Sequence, residues 1–185
     1  MATTSARKPA TKRAAPGRSS LSPDAIALLK ADHQRVSDLF GQYEKSRSAT
    51  KKQAIVATIC RELTVHAMIE EEIFYPAVKA ALKDKELVPE AIVEHATLKE
   101  FIAKVDGKLP DGEMFDAHVQ VFGEYVKHHV KEEQNEMFPK ARKTRLDMKA
   151  LGRQMLERKE ALMTNPDALP KEPTAVARLP EHEAA

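Results

Sequence analysis

The chain has 185 residues, of which 42% are hydrophobic and 31% charged, a balance that indicates one soluble domain with room for tails. No apolar stretch approaches the roughly 18 residues of a membrane span, and the N-terminus lacks the apolar core of a secretory signal. Its single cysteine, Cys60, excludes a disulfide framework within one chain and fits a reducing compartment, so we expect a cytoplasmic protein.

Charge is unevenly distributed along the chain. Residues 1–20 carry five basic residues and no acidic residue, whereas the whole chain has a net charge of +2, so the other 165 residues carry −3. This basic segment has almost no side chains that a core could bury, and residues 1–21 are therefore predicted to form a disordered tail. Such a tail can act as a solubilising segment or make a weak contact with nucleic acid or another anionic surface.

The first half of the remaining chain predicts two helices. The first runs from about residue 23 to 45, with Ser22 as N-cap and Pro23 at its first position. Its inward stripe is Ile26, Leu29, His33, Val36, Phe40 and Tyr43. The second runs from about 50 to 83, and Pro76 should kink it or mark a local break. Its stripe is Ile59, Leu63, His66, Glu70, Ile73 and Ala77.

The second half predicts three more helices. A third helix at about 87–106 has the stripe Val88, Ile92, His95, Leu98, Ile102 and Val105. After a turn, a fourth at about 113–144 has the stripe His118, Phe122, Val126, His129, Glu133 and Met137. Short links between amphipathic helices predict an all-α, antiparallel up-down four-helix bundle over residues 22–145. A fifth helix at 146–163 should pack outside it, and four prolines predict a flexible tail at 164–185.

Ionisable residues interrupt the apolar stripe of every bundle helix. They are His33, His66, Glu70, His95, His129 and Glu133. A spacing of four residues puts a histidine and a glutamate on one helical face, about 6 Å apart along the axis. Buried glutamates need partners, which two metal ions would supply, and imidazole with carboxylate suits iron, manganese or zinc.

The chain also repeats one of these motifs. HAMIEEEIFYP at 66–76 matches HVKEEQNEMFP at 129–139, with a histidine ten residues before the proline and a glutamate six before it. Two similar helical hairpins would pack about a pseudo-two-fold axis and bring the histidines and glutamates together. A lone histidine on an apolar stripe is more often a core residue, but four in matched hairpins favour a paired metal centre, for which iron is the best match.

These motifs resemble those of the hemerythrin family, in its bacterial HHE cation-binding branch, over about residues 22–163. The resemblance implies a four-helix bundle with a non-haem di-iron centre that binds or senses oxygen, nitric oxide or iron. It also implies the ligand set by motif. His33 and His66 would cap one iron, His95 and His129 would cap the other, and Glu70 and Glu133 would bridge the two.

The chain departs from the oxygen-carrying members of that family. They have a second histidine on the third helix, where this chain has Ala91 and Lys99, and an aspartate five residues after the fourth-helix histidine, where it has Gln134. We therefore expect a less complete second metal position, with Glu94 and Glu72 as reserve ligands. Tyr125, four residues before His129, is either a core residue or a hydrogen-bond partner of the site.

The departures favour some functions over others. They put oxygen carriage in doubt and leave sensing of a diatomic ligand or peroxide, peroxide chemistry, and iron handling. A di-iron enzyme with peroxidase-like or nitric-oxide-reducing activity is the alternative, because an incompletely coordinated iron has open positions for chemistry. An interaction module without a metal is a third hypothesis, and it depends on the basic tail.

Overall fold

The protein is described from a computed structural model, which covers residues 23–170. Every regular element in this range is helical, which confirms the predicted all-α class. The tail expected at 1–21 and most of the one expected at 164–185 lie outside the described residues. None of the described helices is long and apolar enough to cross a membrane.

Four long helical runs form the bundle. They are α1 (Ala25–Lys45), α2 (Ala49–Ile69) continuing into α3 (Tyr75–Leu82), α4 (Leu87–Val105), and α5 (Glu113–Glu132) continuing into α6 (Phe138–Arg142). Short connections make consecutive runs antiparallel neighbours, so that α1 packs on α2 and α4 packs on α5. A fifth helix, α7 (Met148–Thr164), packs across α1 and α2 and is followed by a 3₁₀ turn at Pro166–Ala168.

The start of α1 differs from the expectation. The helix begins at Ala25 and not at Pro23, because Asp24 is the N-cap and its carboxylate accepts a hydrogen bond from the Ala27 N–H at 2.9 Å. The same carboxylate accepts two hydrogen bonds from Arg142, both at 3.2 Å. The cap therefore also ties the start of α1 to the end of α6.

A π-helical turn interrupts each of the two longer runs, at Glu70–Phe74 and at Glu133–Met137. In each turn the hydrogen bond spans five residues, from the Tyr75 N–H to the Glu70 carbonyl and from the Phe138 N–H to the Glu133 carbonyl. An aromatic residue and then a proline, Pro76 or Pro139, follow each turn. The proline has no N–H that could donate to the carbonyl four residues earlier. The predicted break at Pro76 is therefore present, as a π turn.

The first π turn changes which side chains face the core. The predicted inward stripe continues from Glu70 by a step of three to Ile73 and a step of four to Ala77, but both are only partly buried. One extra residue in the turn rotates the following helix, and the buried side chains there are Phe74, Tyr75 and Val78.

A second correction concerns α4. The helical period predicts Ile92 in the core, but this residue is 42% exposed, whereas Ala91 is buried. The inward face of α4 follows the alternating steps of three and four residues from Val88 through Ala91 and His95 to Leu98. The sequence pattern predicted Ile92 in the core because its side chain is larger and more hydrophobic than that of Ala91.

The core has two apolar clusters with a polar layer between them. One cluster, around Leu29, Phe74, Phe138 and Met155, includes α7. The other, around Ile59, Leu98 and Phe122, fills the opposite end of the bundle. The buried histidines and acidic residues lie on the helices between these two clusters.

Candidate metal centre

Six ionisable side chains converge in the polar layer, and each is at most 6% exposed. They are His33 from α1, His66 from α2, Glu70 from the first π turn, His95 from α4, His129 from α5 and Glu133 from the second π turn. The structure thus brings together all six residues that the sequence singled out. Each π turn begins at the glutamate, so the local distortion lies at the site itself.

The four histidines form two pairs. His33 Nε2 lies 3.0 Å from His66 Nε2, and His95 Nε2 lies 3.1 Å from His129 Nε2. The rings in both pairs meet edge to face, with centroids 4.7 and 4.8 Å apart. Each pair therefore directs two ring nitrogens at one point, as two ligands of a shared ion would.

The two glutamates lie between the histidine pairs. Glu70 Oε2 is 3.2 Å from His66 Nε2 and 3.4 Å from His95 Nε2. Glu133 Oε2 is 3.2 Å from His33 Nε2 and 3.7 Å from His129 Nε2. Each carboxylate thus contacts one histidine of each pair, which is the placement that a bridging ligand needs.

A polar side chain lies at the Nδ1 atom of each histidine. The distances are 2.6 Å from His129 to Glu94, 2.9 Å from His95 to Glu71, 3.1 Å from His33 to the Gln134 amide, and 3.5 Å from His66 to Asp32. A carboxylate can only accept, so Nδ1 of His129 and His95 carries the proton and donates it. When these rings are neutral, as they must be to bind a metal, their Nε2 atoms keep a lone pair toward the centre.

Two of the carboxylates that lie at these histidines also accept hydrogen bonds from lysines. Lys99 Nζ donates to both oxygens of Glu71, at 2.7 and 2.8 Å, and Lys159 of α7 donates to Asp32. Lys99, one of the two positions considered for a second histidine on this helix, supports the Glu71 carboxylate behind His95. Through Lys159, the fifth helix reaches the residue beside His66.

Tyr75 is a site residue that the sequence pattern does not reveal. Its hydroxyl donates to Glu133 Oε1 at 2.8 Å, lies 3.1 Å from His95 Nε2 and 3.4 Å from Glu70 Oε2, and the residue is 1% exposed. Burial, followed by the charges of Glu133 and Glu70, raises its pKa well above the usual value. One signal was available, because the repeat aligns Tyr75 with Phe138, so only this copy has a hydroxyl.

The two reserve ligands, Glu94 and Glu72, and the candidate partner Tyr125 lie in three different surroundings. Glu94 lies beside the site as the hydrogen-bond partner of His129. Glu72 lies on the surface in a two-bonded ion pair with Arg158, at 2.7 and 2.9 Å. Tyr125 packs in the other apolar cluster, with its ring 5.8 Å from that of Phe101. The structure therefore brings only Glu94 next to the centre.

The carboxylates in and around the centre raise the pKa of two of its histidines. Burial by itself lowers the pKa of His66, but the Glu70 charge and the contact with Asp32 outweigh it and raise the pKa to about 10. The pKa of His95 is likewise lowered by burial, yet hydrogen bonds with Glu70 and Glu71 raise it to about 9. The protein on its own thus favours cationic histidines around the two glutamates.

The residues present fit a metal ion. Glu70 Oε1 and Glu133 Oε2 are buried and make no hydrogen bond, although both carboxylates lie deep in the protein. Ligand atoms within 4.8 Å of one another form one group of His33, His66, Glu70 and Glu133 and another of Glu70, His95 and His129. Nitrogen and carboxylate donors of this kind suit iron, manganese and zinc. The second group has one ligand fewer because it does not include Glu133.

A cavity of about 800 Å³ adjoins the centre. All four histidines line it, and Leu63, Leu98 and Val126 are among its apolar walls. Residues of α2 and α4 make up much of its lining, and it is large enough for a small molecule.

Comparisons with known proteins support the family predicted from the motifs. The family model described as hemerythrin HHE cation binding domain matches residues 24–141. A crystal structure of a hemerythrin HHE cation binding domain-containing protein from Mycobacterium kansasii has a TM-score of 0.65 and 23% identity. It covers 75% of this chain and 86% of that one, and at this identity it shows the fold.

One curated relative is a protein described as a DNA nickase from Nostoc sp. strain PCC 7120. It is 27% identical over 111 residues, which is 60% of this chain. The match spans 31% of the relative, so the chain corresponds to about a third of that protein's length.

Proposed function

This chain belongs to the hemerythrin HHE cation-binding domain family, and we propose that it is a non-haem di-iron protein that binds or senses oxygen, nitric oxide or peroxide, or handles iron. The observation that carries the proposal is the position of the two glutamates. Each of their buried carboxylates contacts one histidine of each pair, and each has an oxygen without a hydrogen bond.

The proposed ligands divide between two ions. His33 and His66 would hold one, His95 and His129 the other, and Glu70 and Glu133 would bridge both; manganese or zinc also fits this donor set. The bound ions would supply open coordination positions and, for iron, one-electron chemistry. Glu71 and Glu94 accept hydrogen bonds from the Nδ1–H groups of His95 and His129 and fix the orientation of these rings.

The surroundings suit a small ligand. Leu63, Leu98 and Val126 give part of the adjoining cavity apolar walls, and the Tyr75 hydroxyl supplies a hydrogen-bonding group close to the centre. Because Tyr75 donates to Glu133, it holds a proton between this glutamate and His95. A diatomic molecule or peroxide would fit beside these apolar side chains and accept a hydrogen bond close to the centre.

Binding of the proposed small molecule is tested on protein purified from iron-replete cells. We expect iron in the protein and a change in its near-ultraviolet and visible absorption on addition of oxygen, nitric oxide or peroxide. The variant His66→Ala should lose the change, because it removes one ligand of the more complete group. An absorption spectrum that none of the three molecules alters would reject ligand sensing and leave iron handling.

A di-iron enzyme is the second candidate. It is favoured by the smaller ligand group of Glu70, His95 and His129, because a position without a protein ligand is open to substrate. Stopped-flow decay of peroxide separates the two functions. Peroxidase-like activity requires faster decay with the wild type than with His66→Ala, and equal rates reject it. The same comparison with nitric oxide tests a reductase.

We also propose a nucleic-acid contact for the basic N-terminal segment. Residues 1–21 carry five basic residues and no acidic residue, and one relative of the chain is described as a DNA nickase. Phosphate neutralisation makes such binding weaken steeply with salt. A salt-dependent mobility-shift assay with and without residues 1–21 tests the contact, and identical binding by both chains would contradict it.

A further inference from the structure

A second concentration of positive charge lies on the folded chain. Residues 140–153, from α6 through the connection into α7, contain six basic residues and one acidic residue, a net charge of +5. The six are Lys140, Arg142, Lys143, Arg145, Lys149 and Arg153, and all are exposed. We call residues 140–153 the basic end.

Neighbouring acidic groups compensate little of this charge. Arg142 pairs with Asp24, but none of the other five basic residues forms an ion pair within residues 23–170. Asp147, the single acidic residue of the basic end, is occupied as the N-cap of α7, where it accepts from the N–H groups of Lys149 and Ala150. Within residues 23–170, no acidic side chain therefore competes with an external anion for these five cationic side chains.

The basic N-terminal segment joins the fold at the same place. A Cβ atom on Gly152 would lie 2.3 Å from the Pro23 carbonyl oxygen, so α7 touches the chain where its described part begins. Residues 1–22 carry +5 and the basic end another +5, whereas the whole chain carries +2. The rest of the chain therefore carries −8, and the described part of the positive charge lies on the basic end, beside the start of α1.

From this arrangement, we propose that the basic end is a nucleic-acid-binding surface that contacts consecutive phosphate groups. Closely spaced, uncompensated cations match the regular negative charge of a nucleic-acid backbone. A membrane surface fits less well, because the exposed large hydrophobic residues of residues 23–170 all lie outside the basic end. These residues are Ile92, Val93, Leu109, Met114 and Val121. The proposal shares its partner with the N-terminal contact proposed above but places a binding site on the folded chain.

The test measures binding of a fluorescent DNA duplex to the full chain over a range of salt concentrations. One variant combines Lys140→Ser, Lys143→Ser and Lys149→Ser. A control combines Lys51→Ser, Lys108→Ser and Lys127→Ser, which removes the same charge from exposed positions elsewhere. Because the first variant removes three phosphate-binding charges, its slope of log affinity against log salt should fall by about 2 to 3. We expect affinity at least about tenfold weaker in the variant and nearly unchanged in the control.

Several results would overturn the proposal. They are equal decreases in affinity for the variant and the control, no duplex binding by the full chain, or binding to anionic vesicles in place of DNA. A chain lacking residues 1–22 separates this site from the N-terminal one. If only that truncation weakens binding, the N-terminal contact stands and the basic end is not the site. Iron content does not enter the measurement, so failure here leaves the di-iron proposal untouched.

Discussion

Tyr75 places a hydroxyl group where the two halves of the candidate metal centre meet. It donates to Glu133 and touches His95 and Glu70, so a single side chain connects one histidine with both glutamates. Without this hydroxyl, the buried Glu133 Oε1 would lose its hydrogen-bond donor, and leaving a buried acceptor unpaired is costly.

We predict that Tyr75→Phe lowers the free energy of unfolding of the metal-free protein by about 1–3 kcal/mol. The phenyl ring itself should fit, because Phe138 occupies the matching position of the repeat. Urea denaturation measures the effect. Tyr125→Phe is the control, since the hydroxyl of this partly buried tyrosine makes no hydrogen bond within residues 23–170. Equal stability losses in the two variants would contradict the role given to the Tyr75 hydroxyl.

The six candidate ligands could be predicted from the sequence, but Tyr75 could not. Histidine and glutamate four residues apart on an apolar stripe are visible as letters, and so is their repetition. Tyr75 lies five residues after Glu70, a spacing that leaves the inward face of an α-helix. Only the π turn restores it to that face, and the proline predicted a break in the helix without showing that the break is a π turn. Whether the six residues bind metal stays a prediction.

At the scale of elements, the two π turns match as closely as the two sequence motifs do. Each begins at a buried glutamate and ends just before an aromatic residue followed by proline. The proline predicted a break in the first run, and the helical periods predicted the elements to within a few residues. The predicted N-cap was wrong because Ser22 and Asp24 both suit that role, and only the structure shows which carboxylate or hydroxyl meets the free N–H.

The contact between α7 and α1 depends on the absence of a side chain at Gly152. We predict that Gly152→Ala destabilises the protein by about 1–3 kcal/mol, because a Cβ there would lie 2.3 Å from backbone oxygen and force the helices apart. Gly41→Ala is the control. Nothing lies within 4 Å of its added Cβ, so the better helix propensity of alanine should stabilise α1 by up to about 1 kcal/mol. Thermal unfolding that shifts in the same direction for both variants would contradict this account.

At the opposite end of the bundle, Asp116 of α5 joins two other helices. Its carboxylate accepts from Lys52 of α2 at 2.8 Å and from the Tyr43 hydroxyl of α1 at 2.6 Å. The bond with Lys52 and then that with Tyr43 lower the pKa of Asp116, against a smaller opposing effect of burial. A carboxyl whose pKa is lower in the folded state stabilises the fold above its unfolded pKa, and this contribution is lost as pH falls through the folded value.

The wild type should therefore have a larger free energy of unfolding than Asp116→Asn at about pH 6, and this difference should shrink below about pH 4. Since the Asp116 side chain is 49% exposed, the difference should stay below about 1 kcal/mol. Urea denaturation at a series of pH values measures it. Asp111→Asn, at an exposed aspartate without an ion pair within residues 23–170, should show no such trend. A difference that grows toward acid pH would have the wrong sign.

At the scale of the whole molecule, the candidate centre divides the hydrophobic core. One apolar cluster holds α3, α6 and α7, and the other holds the far ends of α1, α2, α4 and α5. The polar layer between them is costly unless its carboxylates are neutralised, and a bound ion would do this for both glutamates at once. Ions that bind only the folded chain would also stabilise it by mass action. Function and stability are thus expected to depend on the same six side chains.

The most direct test of this account is the iron content of the protein purified from iron-replete cells, measured by mass spectrometry of the metal together with protein concentration. We predict about two irons per chain in the wild type, a clear loss in His66→Ala, and no loss in His118→Ala, whose Nδ1 lies 2.8 Å from the Met114 carbonyl oxygen and which is not one of the six. Wild-type protein without iron, or equal iron content in all three proteins, would contradict a di-iron centre at these residues.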